Sequence, residues 1–202
     1  MKKKILITGG GGDLAKALYD ELKDEFEVSL PTREELDVSS IESVDDYFDE
    51  RCFDIVINNA GTLYSSLVKD SEPTLWIRDI SVNLIGSYLV ARRAIQKKSK
   101  VKIINVSSTA AYNNYKDWTS YCASKAGVMK LSLGLVDDGY DVIMLCPGAI
   151  ETKLRNNLDI INNNIMTIEE GIAPFIKAVK GDYKTGDIVF YRKNSIEIKS
   201  GY

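Results

Sequence analysis

The stretch "SYCASKAG", residues 120 to 127, sets Tyr121 and Lys125 four positions apart in a chain that contains no histidine. On a helix, that spacing places both side chains on one face, one turn from each other. A tyrosine hydroxyl, with an ordinary pKa of about 10, shuttles protons poorly near neutrality, and a neighbouring ammonium favours its anion. The pair therefore reads as an acid/base couple in which Lys125 draws the Tyr121 pKa down. An isolated Tyr and Lys at this spacing is also an ordinary surface pair worth a few tenths of a kcal/mol, and both readings stand for the pair taken alone.

A second chemical feature is the segment "ILITGGGGDLAKAL". A buried strand runs into four glycines and then into a helix with apolar residues at Leu14, Ala17 and Leu18. Glycines let the backbone approach a phosphate closely, and a helix start offers N–H groups and a positive dipole end. Gly10, Gly12 and Ala15 satisfy the G-x-G-x-x-A form of the dinucleotide fingerprint, and Gly9, Gly12 and Ala15 satisfy a second spacing, G-x-x-G-x-x-A. The end of the second apolar run, "SLPTREELD", bears on which dinucleotide binds. Thr32 and Arg33 occupy the corner where an acidic residue would favour NAD, so NADP is preferred and NAD is the second candidate. Glu34 and Glu35 beside Arg33 oppose a phosphate if they face it. Asp37 either reaches the adenine or caps the next helix.

Positioning these residues requires a scaffold, and the hydrophobic pattern supplies one. Apolar runs at 4–8, 26–30, 54–58, 101–107, 141–146 and 187–191 read as six buried strands. Helical patterns lie between them at 13–24, 41–51, 73–98, 118–137 and 167–180. Ser39 with Glu42, and Thr167 with Glu170, form capping boxes, and Ser71 before Pro73 suits a helix start. Alternation of this kind implies right-handed crossovers and an α/β fold. The expected architecture is one doubly wound Rossmann-type domain over residues 1–202, with a mostly parallel sheet and helices on both faces. The asparagine-rich segment 149–166 is either a lid over the active site or a surface loop.

Composition narrows the function. With 26 basic and 29 acidic residues the formal charge is −3, which leaves no electrostatic footprint for nucleic acid. The N-terminal apolar run is too short for a signal peptide core or a membrane span, so a cytoplasmic protein without a membrane partner is expected. Cys52, Cys122 and Cys146 lack paired spacing and, without histidine, form no metal site.

At "NNAG", residues 58 to 61, the chain resembles the short-chain dehydrogenase/reductase family, and later motifs in order strengthen the resemblance over nearly its whole length. "TGGGGDLA" stands where that family has its cofactor turn, "DV" at 37 and 38 resembles its adenine-contacting pair, and "PGAIET" resembles its segment over the nicotinamide. The resemblance implies cofactor contacts from Thr8, Gly9, Gly10, Gly12, Asp13, Leu14, Arg33, Asp37, Val38, Asn59, Ala60, Gly61, Pro147, Gly148, Ile150 and Thr152, with Tyr121 and Lys125 also touching the nicotinamide end. It further implies Tyr121 as acid in reduction and base in oxidation. Ser108, thirteen residues upstream, is chosen over Ser107 to bind the substrate oxygen, and Asn83 holds a water that relays protons to Lys125. The implied function is hydride transfer between NAD(P) and a small carbonyl or secondary alcohol, in a homodimer. The chain departs from the family in its mixed glycine spacing, its short length and the absence of a Gly-Gly ending after "YKTGDIVFY". Those departures keep two other readings open: an NADP-binding regulator or scaffold without turnover, and a sugar-nucleotide-modifying enzyme. Tyr64, Tyr112, Tyr115 and Trp118 read equally as core or as substrate pocket.

Overall fold

In the computed structural model the described residues are 1–156, 162 and 164–200, without the side chains of Asn156 and Ser200. Seven strands form one sheet: β1 Lys4–Ile7, β2 Glu27–Ser29, β3 Ile55–Asn58, β4 Lys102–Val106, β5 Asp141–Pro147, β6 Asp187–Arg192 and β7 Ser195–Ser200. Their order across the sheet is β2-β1-β3-β4-β5-β6-β7. All pairs are parallel except β6 with β7. The sheet is thus mostly parallel, as expected, with one strand more than the six read from the sequence. "SIEIKS" alternates polar and apolar residues at an edge, and it turns back at Asn194, whose φ is +62°. Period-two alternation was the available signal, weaker than a buried run.

The apolar strands alternate their side chains between two cores. Ile5, Ile7, Ile57, Ile104 and Ile143 pack with α1 Asp13–Leu22 and α7 Ile168–Lys180, through Leu18, Leu22 and Phe175. Leu6, Val56, Ile103 and Val142 point the other way, against α2 Ile41–Phe48 and α4 Gly86–Lys97, through Phe48 and Val90. Every second residue of a strand faces the same side, so a continuous apolar run is what a sheet covered on both faces needs.

Helix ends follow their local chemistry. Thr167 and Glu170 form the expected capping box on α7, and Gly181 in the left-handed region closes it. The box expected from Ser39 and Glu42 is absent. Ser40 caps α2 by accepting from Ser43 N, while Ser39 donates to the Asp37 carboxylate. The third helix starts at Pro73 with Glu72, not Ser71, as its cap. The expected helix 73–98 runs as α3 Pro73–Asp79, a π turn Ile80–Ile85, and α4. Then come α5 Thr119–Asp137 and the one-turn α6 Lys153–Asn156.

β1 is flanked by β2 on one side and β3 on the other, so the connections leave it toward opposite edges. At such a switch point a crevice opens beyond the carboxyl ends of the strands. The glycine turn, the "NNAG" turn, Ser108 and "PGAIET" all follow those ends.

Candidate active site

The crevice is a cleft of about 910 Å³ whose walls include Gly12, Asp37, Gly61, Ser108, Tyr121 and Lys125. Its floor is built by Thr8, at the end of β1. The Thr8 hydroxyl accepts from Asn59 N and Ala60 N, each at 3.0 Å, and the Asn59 amide donates to Thr8 O at 3.0 Å. These bonds hold the β1 and β3 turns together.

The four glycines divide by environment. Gly9 has φ +74°, and a Cβ there would lie 2.9 Å from Ala60 Cα. A Cβ on Gly10 would lie 2.5 Å from Leu30 O and 2.6 Å from Pro31 O. Packing inside the protein therefore demands these two. Gly11 has open space around it and Gly12 meets only Gly9 O, at 3.2 Å. No side chain among the described residues caps the start of α1 at Gly12. An open glycine backbone leading to an uncapped helix start fits a dinucleotide diphosphate. Asp13 faces this turn, but its carboxylate accepts from Lys153 N at 2.7 Å, tying the segment after "PGAIET" across the turn, while Leu14 lines the cleft.

Arg33 is exposed at the expected corner and its guanidinium reaches the Asp37 carboxylate at 3.2 Å. Asp37 also accepts from the Ser39 hydroxyl, and that bond, followed by Arg33, holds its carboxyl below the usual range. The two residues expected to touch the cofactor separately form a pair with each other. Val38 is buried against Gly86, where a Cβ would approach Val38 Cγ2 to 2.7 Å, and it lines the cleft.

Ser108, Tyr121 and Lys125 meet at the other end. Ser108 accepts from Ala110 N at 3.1 Å, points at Pro147 O, 3.5 Å away, and its hydroxyl acts on the Tyr121 hydroxyl to favour the anion. Ser107 is buried and its hydroxyl is spent on Lys125 O at 2.8 Å. Lys125 Nζ lies 5.6 Å from the Tyr121 ring centroid and donates to Val106 O at 2.8 Å. Burial pushes Tyr121 up to about 12, against a smaller opposing effect from Ser108, and burial pushes Lys125 down to about 8. The expectation that Lys125 draws the Tyr121 pKa down is thus corrected. The enclosed wall drives both groups toward their neutral forms, burial being the largest cause acting on each.

Asn83 is fully buried in the π turn. Its amide donates to Thr62 O and Ser124 Oγ, each at 2.9 Å, and accepts from Thr62 N at 2.8 Å. These bonds fasten α5 to the "NNAG" turn, and Gly61 makes the approach by lacking a side chain, since a Cβ would lie 3.2 Å from Asn83 Oδ1. These three protein partners make the amide a positioning group. Sequence reasoning missed Asp79, which is fully buried and accepts from Thr62 Oγ1, Tyr64 N and Ser120 Oγ at 2.7 to 2.8 Å. A carboxylate four residues before Asn83, on the same helical face, was the signal available.

Pro147 ends β5, Gly148 N donates to Tyr191 O at 2.7 Å, and Ile150 bridges Met166 beneath the cleft, with Thr152 on its wall. These contacts pin both described ends of segment 149–166; residues 157–161 and 163 of the expected lid lie outside the described residues. Tyr115 and Trp118 line the cleft beside Tyr121. Tyr64 accepts from Glu72 N and Tyr112 packs edge-on against Phe190, so these two serve structure.

Residues 3–163 match the short chain dehydrogenase family. The chain belongs to that family. It is 28% identical over 162 residues to a 3-oxoacyl-[acyl-carrier-protein] reductase of Aquifex aeolicus, covering 74% of this chain and 65% of that reductase's length. A crystal structure of a short-chain dehydrogenase from Burkholderia cenocepacia in complex with NADP superposes with a TM-score of 0.80 at 21% identity, covering 91% of this chain and 86% of the other. A gluconate 5-dehydrogenase of the same organism, in complex with NADP and tartrate, superposes with a TM-score of 0.68 at 26% identity over 78% and 76% of the two chains. Among the described residues, no helix is long and apolar enough to cross a membrane.

Proposed function

We propose that the chain is an NADP-preferring oxidoreductase, with NAD as the second cofactor, that interconverts a carbonyl and a secondary alcohol. The observation that carries this reading is the meeting of Ser108, Tyr121 and Lys125 on the cleft into which the glycine turn opens. The family membership and the NADP complexes of the structural relatives support it. The glycine turn, Asp37, Val38, Asn59 to Gly61 and the segment from Pro147 to Thr152 would hold the dinucleotide, and Arg33 would pair with its 2'-phosphate. A nicotinamide held there would supply or accept the hydride at the carbonyl carbon.

The chain's own residues handle the oxygen. Ser108 donates to the substrate oxygen and fixes it beside Tyr121. In reduction, the Tyr121 hydroxyl gives its proton to the developing alkoxide; in oxidation, the tyrosinate takes the proton of the alcohol. A Tyr121 held protonated by burial is poised as an acid, which favours the reductive direction near neutrality. The Lys125 ammonium stabilises the tyrosinate that each reduction leaves and returns a proton to it. Because Lys125 loses its charge near pH 8, that support fades as pH rises through this value.

Replacing Tyr121 by phenylalanine is expected to lower turnover of a carbonyl panel by about 100- to 10,000-fold while NADPH still binds. Full activity in that variant would remove Tyr121 from the chemistry. Separate calorimetric titrations with NADPH and NADH are expected to show tighter NADPH binding, and the reverse order would take Arg33 out of cofactor choice. The three cysteines are free thiols, consistent with a reducing cytoplasm. Ile77, Ile85 and Tyr88 stand exposed along α3, the π turn and α4, and support a homodimer through that face.

A further inference from the structure

The cations around the cleft are not equivalent. Arg33 is paired with Asp37, Lys153 with Asp13, and Lys125 is held by Val106 O. Arg155 has partners of its own. Arg78 and Arg192 are left, and among the described residues neither forms an ion pair. Among the described residues, the acidic ones on the cleft wall, Asp13, Glu34 and Asp37, belong to the glycine turn and the exit of β2, at the end assigned above to adenosine and diphosphate.

Arg192 lies at the opposite end. It ends β6, and its stem crosses Gly148, where a Cβ would come within 2.9 Å of Arg192 Cγ. Gly148 follows Pro147, whose carbonyl the Ser108 hydroxyl faces, and Ser108 bonds Tyr121. A short series of contacts thus connects Arg192 to the atoms that receive the substrate oxygen. Its guanidinium carbon is 5.2 Å from the centroid of the Phe190 ring, which Tyr112 braces edge-on at 5.5 Å. Stacking of this kind limits the rotamers lost when the fork binds a partner. Lys199 Nζ lies 5.3 Å from the same ring, with Glu197 at 3.8 Å as its own partner.

We propose that Arg192 determines specificity by holding an anionic group of the substrate, a carboxylate or phosphate, at the mouth of the cleft. The inference rests on the oxidoreductase reading for the identity of that substrate. A guanidinium without a carboxylate partner among the described residues, presented on a fixed ring beside the reacting end, matches such a group by a two-pronged charged hydrogen bond.

The test measures binding apart from turnover. Pentanoates with the oxo group at carbon 2, 3 or 4, each beside its methyl ester, are titrated calorimetrically into the protein saturated with NADP and assayed separately for reduction with NADPH. At least one acid is expected to bind better than its ester. Arg192→Gln is expected to weaken that acid by about ten- to a hundredfold and to leave the ester and NADPH affinities unchanged; Arg192→Lys should recover part of the loss. Acid and ester binding alike in the parent, or a loss of acid binding in Arg78→Gln but not in Arg192→Gln, would overturn the proposal. An acid preference that depends on Arg192 without reduction of any compound would uphold the anion site and remove the oxidoreductase reading. Reduction without an acid preference would do the opposite.

Discussion

Lys125 shows how a single residue is held against its own preference. Its ammonium is buried, its pKa is lowered from the usual 10.5 to about 8, and the fold therefore bears a penalty whenever the group carries its proton. The sign follows from the two states. The unfolded chain binds the proton up to about pH 10.4 and the folded one only to about 8, so folding stability rises with pH between these values. Below pH 8 the penalty is full, on the order of 3 kcal/mol. Lys125→Met, of similar length, is expected to melt higher than the parent at pH 7 and to lose that advantage as pH rises from 8 to 10.5, while turnover is abolished. Thermal melts at several pH values check the first part, and an advantage that grows with pH would contradict the burial argument. A residue kept at a cost to stability points to a use in chemistry.

At the scale of the elements, the strand-to-helix turns at β1 and β3 and the π turn do the positioning. The glycine turn separates packing from binding in a testable way. Gly10→Ala would push a methyl group into Leu30 O and Pro31 O, and a loss of about 3 kcal/mol in denaturant stability is expected. Gly11→Ala meets nothing within 4 Å and is expected to unfold at the same denaturant concentration as the parent, yet to bind NADPH more weakly if the diphosphate sits at this turn as proposed. A Gly11 variant with parental NADPH affinity would move the diphosphate away from this turn. Thr62, Asn83, Ser124 and Asp79 form the matching device on the other wall. The bonds of Asn83 and Asp79 lock the "NNAG" turn to α5 and so fix where Tyr121 stands.

For the molecule as a whole, the two cores lie on opposite faces of one sheet and share its strands. We therefore expect heat to unfold the chain in a single transition, with far-ultraviolet circular dichroism and tryptophan fluorescence coinciding. Two resolved transitions would divide what is read here as one domain. NADPH at a hundred times its dissociation constant is expected to add about 2.7 kcal/mol, a rise of roughly 5 to 11 °C in melting temperature for a chain of this size. The homodimer proposed through the exposed Ile77, Ile85 and Tyr88 is expected to be seen by light scattering at micromolar concentration, and a monomer would overturn it.

The sequence by itself determined whatever depends on residues close together in the chain. Runs such as "KILI" and "IVIN" specified buried strands because every side chain of such a strand meets a core. Tyr121 and Lys125 were paired by one helical turn, and Thr167 with Glu170 by the spacing of a cap. Local alternation was too weak a signal for β7, and one residue separated the expected cap Ser39 from the actual cap Ser40. The tertiary structure decided what depends on burial and on partners distant in sequence. Ser107 turns to Lys125 and Ser108 to Tyr121, although the two serines are neighbours. The Asn83 amide is consumed by groups 21 and 41 residues away. Arg192 comes to rest over Gly148, next to the Pro147 carbonyl that Ser108 faces. Above all, the direction in which Tyr121 and Lys125 shift could not be read from their spacing: two groups one turn apart attract in water, but the enclosing wall sets the cost of charging either one.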